Sequence, residues 1–404
     1  MILNFRHHVR ALSTCAVLAT AAYSASAAVT WKNVQFGGFL SQGYLNSTNN
    51  NYPVDTKDGT FDFREEAVNA SATFGTHLRV SAQIFAEKLG KYGDDKPILD
   101  WAIIDYNFRP EFGVQVGRLK YPRGLYSDVL DLDMVRPFIL LPQSNYDGRL
   151  RDYQASFDGA KIYGSVSVGQ NSFDYKVFYG DIPMKTDSGL ADYFNTSSLF
   201  KNPPGASSLG IDSVRGAALI WNTPVPGLRF GLYYSSLSHL IAVGPFQAIP
   251  TFSSSIDLEV EYKGVSAEYT RGPWTFAGEY LLNNGDSLVN LPAELHMPPS
   301  AGTFRFRSYY VSIARHLGDK FELGTYYSVT SNDYPFAGDP ASDKDRRDWT
   351  SAVRYDLNDH VLFKLEVHVI NGTRDITNVP EISNPASSLK DSMLLFAAKT
   401  TLSF

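Results

Sequence analysis

Along much of the chain, apolar and polar residues alternate with a period of two. Leu228, Phe230, Leu232 and Tyr234 interleave with Arg229, Gly231, Tyr233 and Ser235, and Val361, Phe363, Leu365, Val367 and Val369 interleave with Lys364, Glu366 and His368. This period predicts strands with one greasy and one wet face. Past residue 27, no segment has the ~20 consecutive apolar residues that a membrane helix requires, so a helical membrane protein is excluded. Two architectures remain. In a soluble sandwich the greasy face is the core; in a transmembrane barrel it meets lipid and the wet face lines a lumen.

Connection lengths separate them. Tight turns are predicted near Gly75-Thr76-His77, Arg109-Pro110-Glu111, Gln170-Asn171, Pro224-Val225-Pro226-Gly227, Gly272-Pro273, Gly318-Asp319 and Asn358-Asp359. Between them lie polar loops at 47–59, 89–97, 120–152, 182–210, 238–254, 284–302, 332–346 and 372–391. Seven turns alternating with eight loops require sixteen strands, with short connections at one end and long ones at the other. A sandwich has no reason to sort its loops by length, whereas a bacterial outer-membrane barrel does. The predicted fold is all-β: a transmembrane antiparallel β-barrel of about 16 strands over residues 28–404, with short periplasmic turns and long external loops.

Aromatic residues recur near the predicted strand ends (Trp31, Phe36, Phe74, Phe112, Phe173, Trp221, Trp274, Phe321, Trp349, Tyr355), as girdles at two membrane interfaces would. Residues 1–27 are predicted to be a signal peptide: Arg6 and Arg10, an apolar run over 11–22, then Ala25-Ser26-Ala27. A lipoprotein anchor at Cys15 would want Gly or Ala where Thr14 stands. Composition agrees with export and a barrel. The 404 residues are 44% hydrophobic, 14% aromatic and only 19% charged, which describes neither a disordered tail nor a helical membrane protein. Losing Arg6 and Arg10 from 36 basic residues leaves 34 against 42 acidic ones, a net charge of −8, and no basic footprint for nucleic acid. The leader also takes the only cysteine, so hydrogen bonding and packing alone must stabilise the fold.

Sixteen strands leave an aqueous interior that something must narrow. The longest loop, 120–152, carries Lys120, Arg123, Arg136, Arg149 and Arg151 with Asp128, Asp131, Asp133, Asp147 and Asp152. Among these charges stands the apolar run Pro137-Phe138-Ile139-Leu140-Leu141-Pro142. An exposed loop gains nothing from such a run, so part of it is predicted to pack against the inner wall.

Val116-Gly117-Arg118, leading through Leu125-Tyr126-Ser127-Asp128 to Phe157-Asp158-Gly159-Ala160-Lys161-Ile162-Tyr163, resembles the Gram-negative trimeric porins at motif level over about residues 112–168. The resemblance implies a third loop folded into the lumen over 120–152, Arg118 on the pore wall and a homotrimer in the outer membrane. The acidic Pro-Glu-Phe-Gly-Gly tip of the general porins is absent from this loop, where Arg136-Pro137-Phe138 stands. Gly117-Arg118-Leu119-Lys120-Tyr121-Pro122 looks like a segment of the phosphate-selective porins, with Arg118 in place of Gln. The last strand, with Leu394, Phe396, Ala398, Thr400, Leu402 and Phe404 on one face, resembles the C-terminal strand that the outer-membrane assembly machinery recognises.

Acidic groups on an inward loop facing wall cations such as Arg79, Arg118 and Arg229 would set a field across a narrow gap, favouring polar solutes. Arg305 and Arg307 share a face and could form a basic ladder for anions. Asp257, Glu259 and Glu261 form an acidic ladder, and the change of apolar parity after Lys263-Gly264 suggests a bulge. With both signs present, no strong ion preference is predicted. The expected function is a water-filled channel for passive diffusion of small hydrophilic solutes and ions, without cofactor or metal. The alternative is a channel of the same fold selective for an anionic class, organic anions or phosphate. A barrel hydrolase comes third: His368 beside Glu366 is its only candidate, and a Ser or Asp within reach would strengthen it. Asp55 to Asp62 faintly suggests a calcium loop but lacks regular ligand spacing. The cluster of Asp339, Asp343, Lys344, Asp345, Arg346 and Arg347 is expected to be a solvated external loop.

Overall fold

The computed structural model describes residues 29–31, 33–333 and 344–404. The signal-peptide segment, the Trp31 side chain, Asp339 and Asp343 lie outside the described residues. Eighteen strands are described: β1 Val29–Trp31, β2 Val34–Ser47, β3 Phe63–Phe74, β4 Leu78–Leu89, β5 Ile98–Arg109, β6 Phe112–Lys120, β7 Ser156–Val168, β8 Asn171–Asp181, β9 Ser208–Gly210, β10 Ser213–Asn222, β11 Leu228–Pro245, β12 Ser253–Arg271, β13 Trp274–Asn290, β14 Ser300–Leu317, β15 Phe321–Asn332, β16 Asp345–Asp356, β17 Val361–Asn371 and β18 Ser392–Ser403. β1 pairs with β2 and β9 with β11 as short additions. The other sixteen form a closed antiparallel barrel, β8 pairing with β10 and β18 returning to β2. At the seam, the Gly38 and Phe404 backbones exchange both hydrogen bonds at 3.0 Å.

All seven predicted turns connect strands at one end, and the long loops lie at the other. Two loops are shorter than expected because their strands continue: β11 runs to Pro245 and β13 to Asn290. β11 to β14 thus reach 17 to 19 residues, well beyond the ~9–11 that cross a bilayer. Their extra residues at the loop end pack Leu240, Ala242, Ile256, Leu258 and Phe304 against Phe194, Phe200 and Ile211 of the 182–212 connection.

The inside-out pattern appears throughout. Phe363, Leu365 and Val369 face outward, with Leu365 64% exposed, while Lys364, Glu366 and His368 between them are buried inside. Near the turn end, outward aromatics stack across strands, as in Phe173–Trp221–Phe230 and Phe321–Tyr355. Tyr327 meets Trp349 nearer the loop end.

The bulge expected after Lys263-Gly264 is not there. β12 keeps register with β13 from Ser255 to Arg271, and the irregularity in this region lies in β11 between Leu237 and Leu240. What changes is the surroundings. Val260 and Tyr262 are buried inside while Asp257, Glu259 and Glu261 face out, and lower down the outward position becomes apolar at Val265, 48% exposed. The outer face is wet above the bilayer and greasy within it, so apolar parity inverts with no break in register. The same geometry corrects the basic ladder: Tyr310 and Ser308 point inward, so Arg305 and Arg307 lie on the outer face, Arg307 paired with Asp333.

Candidate pore constriction

The connection between β6 and β7 folds into the barrel and reaches the far wall. Asp133 is its main anchor. Its side chain, fully buried, accepts hydrogen bonds from Lys364 Nζ (2.9 Å, β17) and Thr401 Oγ1 (2.7 Å, β18), with Lys399 Nζ 3.7 Å away. Lys364 also donates to the Asp133 and Phe138 carbonyls. Glu366 accepts from the Ile139 and Leu140 amides at 2.8 and 3.0 Å. These are the backbone donors of the apolar run, which a loop crossing a lumen must satisfy somewhere. Phe138 packs edge-on against Tyr326 at 4.9 Å, beside Ala352. Arg354 donates to the Met134 carbonyl, and Glu279 accepts from the Leu125 amide and the Tyr146 hydroxyl.

At its root the loop is held by a buried cluster. Lys120 bonds Asp100 (2.8 Å) and Asp131 (2.9 Å), and Arg151 bonds the same two carboxylates at 2.7 Å each. Asp100 reaches inward because a bulge sets it between Leu99 and Trp101, which pair with Ile84 and Gln83. Burial pushes the Asp131 carboxyl up, and Arg151 and Lys120 more than reverse this, holding it below the ordinary carboxylate range. Asp133 follows the same logic with Lys364 and Lys399. Asp147 pairs with Arg149 at 2.6 Å, and Arg149 donates onward to the Asp375 carbonyl and Thr377.

The structure therefore joins most of the predicted constriction residues, though not as a field across a gap. Asp128 touches Lys176, Asp131 touches Lys120, and Asp133 touches Lys364. Arg79 lies 3.5 Å from Asp105 and Arg229 2.9 Å from Glu268, both inside the wall. Two loop cations stand apart. Among the described residues, Arg123 stacks over Tyr262 (4.5 Å) with no hydrogen-bond partner for Nη1, and Arg136 is buried with none for Nε. Arg118 needs correction. It shares the outward parity of Val116 and bonds Asp158 on β7, with which it is in register, at 3.2 Å. Only the family likeness points it toward the lumen, and the strand's own register points it out.

Sequence reasoning missed the wall half of the anchors: Lys364, Glu366, Thr401, Lys399, Asp100 and Glu279. Wet-face parity marked Lys364 and Glu366 as inward, but nothing local says which loop meets them. His368 does have an Asp within reach. Nδ1 lies 3.0 Å from Asp348 and 2.9 Å from the Thr350 hydroxyl, and Nε2 is 2.8 Å from Glu366. The ring is fully buried and both nitrogens are engaged, so it braces the carboxylate that clamps Ile139 and Leu140. The Asp55–Asp62 segment closes on buried Thr56, whose hydroxyl bonds Ser47 and the Tyr52 carbonyl.

No protein-family model and no curated protein matches the chain. Solved structures do. The outer membrane channel DcaP of Acinetobacter baumannii superposes with a TM-score of 0.56 at 9% identity, over 94% of this chain and 100% of that one. OmpT, an outer-membrane protein of Vibrio cholerae, gives 0.56 at 14% identity over 94% and 100%. An anion-selective porin from Comamonas acidovorans gives 0.53 at 13% identity over 92% and 99%. With sixteen closed antiparallel strands, turns and loops sorted to opposite ends and a loop laid across the interior, the chain has the porin-type outer-membrane β-barrel fold.

Proposed function

We propose that the protein is an outer-membrane channel through which small hydrophilic solutes and ions diffuse passively, narrowed by the connection between β6 and β7. The observation that carries this reading is the Asp133 anchor: a charged loop held across a polar-lined barrel by buried cations of β17 and β18. A barrel that served only as scaffold could fill with apolar side chains. In this reading residues 1–27 direct export, the chain resides in the outer membrane as a homotrimer, and Phe404 is read by the assembly machinery.

A second reading, a channel selective for an anionic solute, draws on Arg123. Its guanidinium lies on a tyrosine ring with Nη1 unpartnered among the described residues, and a movement of the loop that opened it to the lumen would let it donate to a carboxylate or phosphate. The hydrolase reading has only His368, which lacks access to solvent. Conductance of refolded protein in a planar bilayer, with reversal potentials under a salt gradient, tests the two channel readings. Ohmic openings in groups of three with weak ion preference support the first reading. Small conductance with strong anion preference, reduced by Arg123→Gln, supports the second. No conductance from a correctly folded barrel overturns both.

A further inference from the structure

The outer face of the barrel carries an apolar groove of about 870 Å³ that crosses β14 to β18 and ends at Tyr44 of β2. Two registered rows of outward residues build it. One runs through Ile313, Thr325, Ser351, Val367 and Phe396, the other through Leu323, Val353, Leu365, Ala398 and Tyr44. The floor sinks where the side chains are short, at Thr325, Ser351 and Ala398. Thr325 turns its hydroxyl onto the Thr350 carbonyl at 2.6 Å and so leaves the floor its methyl group. At the turn end the groove meets Arg315, whose guanidinium lies 4.7 Å from the centre of the Trp274 ring, the residue paired with it across β13 and β14. Arg315 has this aromatic contact and no carboxylate partner among the described residues.

An unpaired cation on an interfacial tryptophan, at the mouth of an apolar groove, is complementary to one kind of molecule: an anionic lipid. We propose that the groove binds a phospholipid of net negative headgroup from the periplasmic leaflet, its uncompensated phosphate on Arg315 and an acyl chain across the Thr325–Ser351–Ala398 floor. The depth fits, since short turns mark the periplasmic end and Trp residues sit at the headgroup level. The volume falls within the ~300–1,000 Å³ range of small-molecule sites. A basic residue fixes the lipid phosphate as a point of recognition that bulk lipid contact lacks.

The test is native mass spectrometry of the full chain extracted from outer membranes, then offered phosphatidylglycerol or phosphatidylcholine of equal chain length. Retention of phosphatidylglycerol in preference to phosphatidylcholine is expected. Arg315→Gln should weaken that retention about tenfold, the scale of one charge-assisted contact, and Ala398→Trp, which fills the floor, should lower retention of both lipids. Equal retention of the two lipids by the unaltered protein would overturn the proposal without needing either variant. So would an intersubunit disulfide through Ser351→Cys, which would show that a second copy covers the groove.

Discussion

At the scale of single residues, the charges of the inward loop hold structure together before they can select anything. Asp133 illustrates this. Removing one partner from a buried ion pair leaves the other charge stranded, at a cost of ~3–5 kcal/mol. Asp133→Asn would strand Lys364, while Lys399 keeps Glu65, so thermal unfolding in detergent is expected to fall sharply and single-channel conductance to rise as the loop leaves the far wall. Unchanged conductance would show that Asp133 does not hold the constriction. The same carboxyl sets a pH limit. Its folded pKa lies below the unfolded carboxylate value of ~3.9, so its stabilisation is fully present above that value and is lost as pH falls through the folded pKa. The loop should stay protected from protease down to about pH 4 and open only in stronger acid. Asp133→Asn should abolish that transition. Arg118 supplies the contrast: because it faces outward onto Asp158, Arg118→Ala should leave the reversal potential unmoved, and a clear shift would return it to the lumen. The loop's own charges were legible in the sequence because they crowd one loop. Their partners were not, because Lys364 and Thr401 lie more than two hundred residues away, and only barrel closure brings them close.

At the scale of elements, strand number and turn positions were readable because period two and loop length are local signals. Strand length was not, for a physical reason that β12 makes plain. Above the bilayer its apolar residues point inward to the 182–212 connection, and within the bilayer they point outward to lipid, so one continuous strand reads as two with a slip between them. Val265 and Glu259 therefore share a face but occupy different solvents. Val265→Arg should cost ~2–4 kcal/mol if it stands near the bilayer midplane, whereas Glu259→Arg should fall within about 0.5 kcal/mol, as exposed substitutions do. Equilibrium folding into lipid vesicles across a urea series would measure both. Equal costs would mean that the membrane boundary does not lie between Glu259 and Val265, and that the inversion along β12 needs another cause.

At the scale of the whole molecule, sixteen strands become a barrel only at the seam, where β18 meets β2 and the last residue takes part. Phe404 both donates to and accepts from Gly38 through its backbone. Its ring lies so close to Gly38 that a Cβ there would stand 2.6 Å from the ring. Closure falls on this residue, and if recognition by the assembly machinery falls on it too, comparing refolding with cellular assembly separates the two roles. If the seam alone matters, removing Phe404 costs a pair of backbone hydrogen bonds and a ring contact, and refolding into vesicles suffers as much as assembly in cells. If the assembly machinery reads the terminal aromatic, refolding in vitro is nearly unaffected while heat-modifiable, folded protein in the outer membrane drops severely. Phe404→Tyr keeps both the backbone bonds and an aromatic ring, so it should restore assembly under either mechanism, whereas Phe404→Ala keeps the bonds alone. The expected result is normal vesicle folding and poor cellular assembly for Phe404→Ala. Equal yields in the two settings would assign the terminal phenylalanine to barrel closure and leave recognition to the rest of β18.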